Sequence, residues 1–310
     1  MIPFLKNLLK KKIQLFFSYI FRINEKIIIL EKINLNKGSL LIKSLLTKDT
    51  KNINDYEVSI FSQWGEDGII QYLIHKLKIE KDGIFVEFGV DDYIESNTRY
   101  LLFKNNWNGL VIDSNKDNIN KIKNSYYFWK YNLDAQCHFI TINNINKIIS
   151  LYLKGRKLDL LSIDLDGNDY WILKCLNLNI FKPKILICEY NSILGKKISI
   201  TVPYKEDFNR NENQKYSKVY YGASIKALVN LADSKGYLFL GSNSNGNNLF
   251  FVDKLYKKKF NKVSFFNGYK KNKFKEIAHG NYNAIKNSLS NKKFYDTDAC
   301  KIIKLNLDKI

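Results

Sequence analysis

The sequence IFVEFGVDDY, from Ile84 to Tyr93, decides the expected fold. Apolar residues typical of a buried strand surround an acidic residue, Glu87, and the run breaks at Gly89. The later run GLVIDSN, from residue 109 to residue 115, is also a short apolar strand, and it ends in a carboxylate, Asp113. In an adenosine-binding α/β unit, the first turn brings the backbone close to the ligand and the second carboxylate accepts the ribose hydroxyls. The two runs predict such a unit.

The turn after Gly89 departs from the dinucleotide-binding fingerprint. Val90, Asp91 and Asp92 stand where that fingerprint has its later glycines, which let the backbone approach a pyrophosphate. This difference argues against a nicotinamide or flavin site and favours an adenosine ligand without phosphates. The alternative is that both runs are ordinary sheet strands with turn residues at their ends.

Helical and strand periodicities alternate from about residue 55 to residue 253, which predicts a mostly parallel sheet with helices on both faces. Five strands joined by helices precede a closing antiparallel hairpin at the turn GSNSNGN, which is the strand count of the Rossmann-like class I methyltransferase fold. We expect a methyltransferase domain at 56–254, a basic, partly amphipathic N-terminal extension at 1–55 and a lysine-rich C-terminal extension at 255–310. The predicted strands are 84–89, 110–113, 138–142, 158–164, 185–189, 237–240 and 249–252. The predicted helices are 68–78, 97–105, 116–130, 145–154, 170–176 and 223–235.

The amino-acid composition limits the classes of partner that we expect for this protein. The 310 residues carry a formal net charge of +20, but only four of the 50 basic residues are arginine. Because base readout and bidentate phosphate binding favour arginine, we interpret the charge as a solvated lysine surface and do not favour a nucleic-acid partner. The four cysteines form no CxxC pair, which fits a reducing, cytoplasmic compartment.

The N-terminus combines lysines with an apolar run, IQLFFSYIF at 13–21. Nine residues are too few to span a bilayer, which takes roughly 20. We expect either a lysine-flanked helix on the inner surface of the membrane or a helix packed on the domain or on a partner subunit. Deletion of residues 1–50 is expected to leave cofactor affinity intact.

The segment LDLLSIDLDGNDYW, at 158–171, places Asp164, Asp166 and Asp169 at the end of a strand and the start of a helix. Carboxylates at this edge of a parallel sheet lie where ligands bind. As a DxD triplet, the first two aspartates predict a metal-dependent glycosyltransferase. As a DxDG start, they predict a dehalogenase-type phosphatase, although that motif normally opens its domain.

A third interpretation joins this cluster to Glu189 at the end of the following strand. Asp166, Asp169 and Glu189 would then share a divalent ion, magnesium or manganese, or orient a substrate hydroxyl, with Asp166 and Glu189 as catalytic base or metal ligands. The structural alternative is that Asp169 or Asn168 caps the next helix.

Several blocks together resemble the FkbM-type methyltransferases, a class I family that uses S-adenosylmethionine, over roughly residues 61 to 253. The blocks are SQWGEDGII (62–70), FVEFGVDDYIESNTRYLL (85–102), NWNGLVID (106–113), LLSIDLDGNDYWIL (160–173), ICEYN (187–191), VPY (202–204), YYGAS (220–224) and GYLFLGSNSNGNNLFFV (236–252).

The resemblance implies roles for individual residues. Glu87, Gly89 and Val90 would form the first cofactor loop, and Asp113 would hold the ribose. Members mostly methylate hydroxyl groups of sugars or other small metabolites, often in surface-glycan or natural-product pathways, so we expect a small-molecule or glycan acceptor. The remaining assignments are Ser96 and Asn97 near the methionine end, Asn143 and Asn144 near adenine, Asp164 among the cofactor-binding residues, and Tyr204, Arg210, Tyr220 and Tyr221 on an acceptor lid at 202–221.

Overall fold

The computed structural model describes residues 2–79, 82–210, 219–272 and 286–306. Within them, a seven-stranded sheet lies at the centre of the molecule. Numbered in chain order, its strands are β1 (Ile84–Phe88), β2 (Asn108–Asp113), β3 (Leu133–Cys137), β4 (Leu160–Ile163), β5 (Ile185–Glu189), β7 (Tyr237–Ser242) and β8 (Asn248–Asp253).

The strand order is β3-β2-β1-β4-β5-β8-β7. Strands β1 to β5 are parallel, and β8 is antiparallel to both of its neighbours, β5 and β7. A mostly parallel sheet closed by an antiparallel hairpin is the predicted Rossmann-like class I methyltransferase fold, and that prediction is confirmed.

Helices cover both faces of the sheet, as the burial of β1 shows. All five residues of this strand are buried; Val86 and Phe88 belong to one hydrophobic core and Phe85 to the other. Side chains alternate between the faces of a strand, so a wholly buried strand requires cover on both sides. The helices are α1 (Ile2–Leu45), α2 (Glu66–Leu77), α3 (Lys116–Lys123), α4 (Ile145–Leu153), α5 (Asp169–Cys175), α6 (Leu178–Phe181), α7 (Ile225–Ser234) and α8 (Phe265–Gly268), with a π-helical turn at Leu101–Asn105.

The predicted third strand, 138–142, was wrong. The strand at this edge of the sheet is Leu133–Cys137, which pairs with β2 from Gly109 to Asp113. Its sequence, LDAQC, is half polar, and its outward side chains are partly exposed. An edge strand needs little apolar sequence, whereas the apolar residues just after it favoured the wrong segment. The chain after β3 therefore reaches the cavity edge about five residues earlier than predicted.

A second sheet joins the C-terminal part of the chain to the predicted domain. Its three strands are β6 (Ile200–Thr201), β9 (Lys293–Asp296) and β10 (Lys301–Lys304), in the order β10-β9-β6. Contacts therefore cross the predicted boundary at residue 254, and the three-part division of the chain remains a prediction.

The apolar run at 13–21 lies inside α1, a single helix of 44 residues. Its C-terminal half is partly buried, through a stripe at Ile28, Glu31, Leu35, Ser39 and Ile42. This three-to-four-residue spacing is that of one helix face. None of the described helices has an apolar stretch long enough to cross a membrane.

Candidate functional site

The carboxyl ends of β1, β2, β4 and β5 surround a cavity of about 780 Å³, called here the main cavity. This volume is within the range of small-molecule sites, about 300–1,000 Å³. A smaller cavity of about 130 Å³ shares Gly89 and Asp164 with it. The predicted site residues on the main cavity are Gly89, Asp113, Asp164, Asp166, Glu189 and Arg210, and those on the smaller cavity are Glu87, Gly89, Val90, Ser96, Asn97 and Asp164.

The turn after β1 requires glycine at residue 89. Gly89 has a φ of +70°, and a Cβ at this position would lie 1.6 Å from the carbonyl oxygen of Asp164. Its N–H donates to the carbonyl of Ile112 at 2.9 Å. The ends of β1, β2 and β4 therefore meet backbone to backbone, which leaves the turn close to the cavity without a side chain in the way.

Asp113 ends β2 at the cavity wall. One carboxylate oxygen accepts the N–H of Asp91 at 3.0 Å, and the other accepts the N–H of Asn115 at 2.7 Å. The Asn118 side-chain amide adds a longer bond of 3.5 Å to the second oxygen. A carboxylate offers about four acceptor positions, so these bonds fix its orientation and still leave acceptor capacity for a ligand.

Glu87 is directed toward its own chain. Its carboxylate accepts hydrogen bonds from the Ser96 hydroxyl at 2.6 Å, the Asn97 N–H at 2.9 Å and both the N–H and the hydroxyl of Thr98. Burial raises the pKa of Glu87, while these hydrogen bonds act in the opposite direction. Glu87 therefore holds the 96–98 loop beside the smaller cavity.

Three carboxyl groups meet on the floor of the main cavity. Ligand oxygens of Asp164, Asp166 and Glu189 lie within 4.8 Å of one another, a grouping that suits a divalent ion. Burial, followed by the nearby charge of Glu189, raises the pKa of Asp164 well above its usual range.

Arg210 connects the predicted lid to this acidic cluster. Its guanidinium forms an ion pair with Asp166, which has a positive φ of 53°. On its other side the guanidinium lies 4.0 Å from the ring centroid of Tyr221, a buried side chain. Tyr221 thus supports Arg210, and Arg210 is the residue that reaches the cavity.

Asp169 lies beneath the cavity floor and is not in the group that suits a metal. Its two oxygens accept the N–H groups of Leu165 at 2.8 Å and Gly167 at 3.1 Å. Burial raises its pKa to about 6. Asp169 therefore shapes the 165–167 turn just before α5, and Asp164 takes its place in the acidic group. The capping alternative is wrong, because these bonds go to N–H groups before the helix and Asn168, at the N-cap, makes no side-chain capping bond.

The asparagines predicted near adenine lie away from the main cavity. Asn143 is exposed, and Asn144 lines a separate cavity beside α4 and bonds to the backbone of Phe139 and Thr141. The residues that do follow β3 at the main cavity are His138, Phe139 and Ile140. The predicted third strand, 138–142, includes these three residues, so the sequence did not identify them as residues that follow the strand and line the cavity.

Two of the four predicted lid residues pack elsewhere. The ring of Tyr204 lies edge-on to Trp171, and Tyr220 donates its hydroxyl to the carbonyl of Lys293 in the second sheet. Residues 211–218 of the predicted lid lie outside the described part of the chain. A lining residue that sequence reasoning missed is Phe208, whose ring occupies the space where a Cβ at Gly167 would stand.

The lining of the main cavity is acidic although the whole chain is basic. It contains six carboxylate residues and one arginine, Arg210. Burial, followed by the charges of Asp113 and Asp166, also raises the pKa of Asp91. The cavity therefore favours cationic or neutral ligands over anionic ones. The carboxylates are Asp91, Asp113, Asp164, Asp166, Glu189 and Asp207.

Three solved structures illustrate what the chain is similar to. An O-methyltransferase from Bacillus cereus in complex with SAH aligns with a TM-score of 0.39 and 11% identity, over 71% of this chain and 90% of that one. A S-adenosylmethionine-dependent methyltransferase from Clostridium acetobutylicum aligns with a TM-score of 0.37 and 13% identity, over 70% and 98%. One from Aquifex aeolicus aligns with a TM-score of 0.36 and 10% identity, over 61% and 89%. No protein-family model and no curated protein matches the chain.

Proposed function

We propose that this protein is a S-adenosylmethionine-dependent methyltransferase that O-methylates a sugar or another small hydroxylated metabolite, in the manner of the FkbM-type enzymes. The observation that carries the proposal is Asp113, an oriented carboxylate with acceptor capacity left for a ligand, on a cavity that also contains the neighbouring carboxyl groups of Asp164 and Glu189. Asp113 can hold a ribose, and the carboxyl groups of Asp164 and Glu189 can accept a proton.

The residues around the cavity fit the cofactor. The Gly89 turn leaves room for close approach of a ligand, and Phe139 with Ile140 supplies an apolar surface for a purine beside Asp113. The acidic lining complements a sulfonium cation and opposes a pyrophosphate. This charge argument favours the methyl donor over the nucleotide-sugar donor of a DxD glycosyltransferase.

When bound, the cofactor supplies a methyl group that already carries its leaving group. The chain must then align an acceptor hydroxyl, exclude water and remove one proton. Asp164 and Glu189 are the candidate acceptors of that proton, because their carboxyl oxygens lie within 4.8 Å of each other on the cavity and the charge of Glu189 adds to burial in raising the pKa of Asp164. Raising the pKa of a carboxyl toward the working pH makes it a better base toward a hydroxyl.

Two roles remain open for Asp166. It can act as a ligand of magnesium or manganese together with Asp164 and Glu189, or as the anchor of Arg210 over the acceptor. The ion pair supports the anchoring role, since Arg210 already neutralises the exposed carboxylate of Asp166. A cytoplasmic location and a glycan-related pathway are part of the proposal.

Calorimetry with purified protein tests the donor. Binding of S-adenosylmethionine and no binding of a uridine diphosphate sugar is the expected result, and the reverse would replace the proposal with a glycosyltransferase. Incubation with S-adenosylmethionine and candidate glycans, scored by a mass gain of one methyl group, then tests the acceptor.

A further inference from the structure

The N-terminal arm is defined here as residues 2–30 of α1, the part of the helix that leads into its partly buried stripe. Every described side chain from Lys10 to Ile27 is exposed, and the partly buried stripe of α1 begins only at Ile28. At about 1.5 Å per residue, the arm is a helix about 40 Å long.

The arm carries a set of large apolar side chains on one side. Phe16 and Phe17 are 61% and 64% exposed, and Leu30 is 61% exposed. A lone helix gains most of its stability in a protein by covering its apolar face, so these side chains call for a partner surface. The exposed apolar side chains that share one face of the arm, at helical spacing, are Ile13, Phe16, Phe17, Ile20, Ile23, Ile27 and Leu30.

The arm carries a strong excess of positive charge. It contains six basic residues and a single acidic one, Glu25. Three consecutive lysines, Lys10, Lys11 and Lys12, lie just before the apolar face begins. Basic residues beside an anionic lipid surface each contribute about 1 kcal/mol of attraction. A second copy of the arm packed in parallel would instead bring two lysine clusters together.

The width of the apolar face also indicates which partner it fits, a lipid surface or a second copy of the helix. A coiled-coil seam is narrow and uses two positions in seven. Here Phe17 and Tyr19 extend the apolar surface beyond such a seam, and aromatic rings are typical of helices at the membrane interface. A broad apolar face beside a lysine cluster fits a lipid surface better than another helix.

We propose that the N-terminal arm lies on an anionic membrane surface, with its apolar face in the lipid and its lysines against the headgroups. The arm would hold the main cavity near the membrane without spanning it. This inference is independent of the proposed methyl transfer, since neither the cavity nor the cofactor enters it.

Co-sedimentation of the full-length chain with vesicles tests the proposal. The chain should bind vesicles that contain phosphatidylglycerol and should bind far less to pure phosphatidylcholine. The variant Lys10→Glu, Lys11→Glu, Lys12→Glu should lower the partition coefficient by on the order of a hundredfold or more, because the loss of the three lysines alone removes about 1 kcal/mol of attraction each. The variant Phe16→Ser, Phe17→Ser should also lower it.

Matched controls exclude the effect of the overall positive charge. Lys257→Glu, Lys258→Glu, Lys262→Glu changes three exposed lysines elsewhere, and Leu255→Ser removes an apolar side chain that is 82% exposed. Both controls should bind vesicles as the wild type does. Equal losses in the control and arm variants would overturn the proposal, as would failure of the wild type to bind.

Sedimentation velocity without vesicles tests whether the apolar face binds a second copy of the chain instead. A monomer whose mass is unchanged by Phe16→Ser, Phe17→Ser agrees with the proposal. A dimer that dissociates on that substitution would show that the face binds a second copy, and the membrane proposal would then be wrong.

Discussion

Asp164 and Glu189, which follow and end the adjacent strands β4 and β5, bring carboxyl oxygens within 4.8 Å of each other on the floor of the main cavity. Because two ionised carboxylates would repel each other at this distance, the pair retains a proton more strongly than a single exposed carboxyl does. This retained proton gives the first two predictions.

Methyl transfer should accelerate as the pH rises through the raised pKa of Asp164, because the pair must be able to accept the acceptor's proton. The measurement is the pH profile of kcat in the wild type and in Asp164→Asn. The variant should lose about 100-fold or more in kcat, which is typical of a general base, and it should keep most of its affinity for S-adenosylmethionine. A wild-type profile that stays flat from about pH 5 to pH 9 would show that no such carboxyl limits turnover.

The same pair should reduce the free energy of unfolding at neutral pH. The folded-state pKa of Asp164 is above its unfolded value, so the folded chain binds more protons in the window between them and loses stability as the pH rises through that window. Asp164→Asn should therefore raise the melting temperature by a few degrees at about pH 8, with little difference near pH 4. Asp117→Asn, on the exposed start of α3, serves as the control. A melting temperature of Asp164→Asn that is lower than the wild type at both pH values would contradict this account.

Loss of the Asp113 carboxylate should weaken cofactor binding. Asp113→Asn keeps the volume and removes part of the acceptor capacity, and we expect a cost of about 1–3 kcal/mol in S-adenosylmethionine affinity by calorimetry. Asp134→Asn, on the neighbouring edge strand, should leave the affinity unchanged. Since Asp113 also binds the backbone of Asp91 and Asn115, circular dichroism must first show that the variant is folded. Wild-type affinity in a folded variant would remove Asp113 from the ribose site.

Chelation should leave turnover within about twofold of its starting value if Arg210 already compensates the charge of Asp166. Asp166→Asn should still lower kcat, because Arg210 would lose its anchor, with cofactor affinity nearly unchanged. Loss of activity with chelator and its recovery with magnesium would instead assign Asp164, Asp166 and Glu189 as metal ligands. A wild-type rate in Asp166→Asn would exclude both roles.

Glu31 should contribute to the stability of the domain and of its cofactor loop. The Arg99 side chain is 5% exposed, pairs with Glu31 and donates to the carbonyl of Ile94. Glu31→Gln would leave that buried charge without its partner, at a cost on the order of 3 kcal/mol in a denaturant titration. Glu25→Gln, exposed on the same helix, should cost nothing measurable. Equal stabilities of the two variants would contradict the role of the pair.

The ion pair between Glu31 and Arg99 also changes the effect that we expect from deleting residues 1–50. The deletion would remove Glu31 together with Ser39 and Ile42, which pack against the domain. The described side chains from Lys10 to Ile27 are exposed, so deletion of residues 2–26 is the truncation that should preserve cofactor affinity.

The sequence alone predicted the order of the elements around the site. The buried run 185–189 became β5 without a shift, and the carboxylates at 113, 164 and 189 were expected at the correct edge of the sheet. These features follow from local periodicity, because burial on one or two faces is encoded in neighbouring residues. The same logic misplaced β3, since an edge strand that is half exposed carries a weak apolar pattern.

Tertiary structure decided which polar groups meet. Asp166 and Arg210 are 44 positions apart, and Glu31 and Arg99 are 68 apart, so no local pattern pairs them. Asp169 and Asp164 have the same side chain and lie five residues apart, yet one binds the backbone beneath the cavity and the other faces Glu189 inside it. A sequence determines which residues can be buried or charged, whereas the partner that each charge finds depends on how distant segments pack.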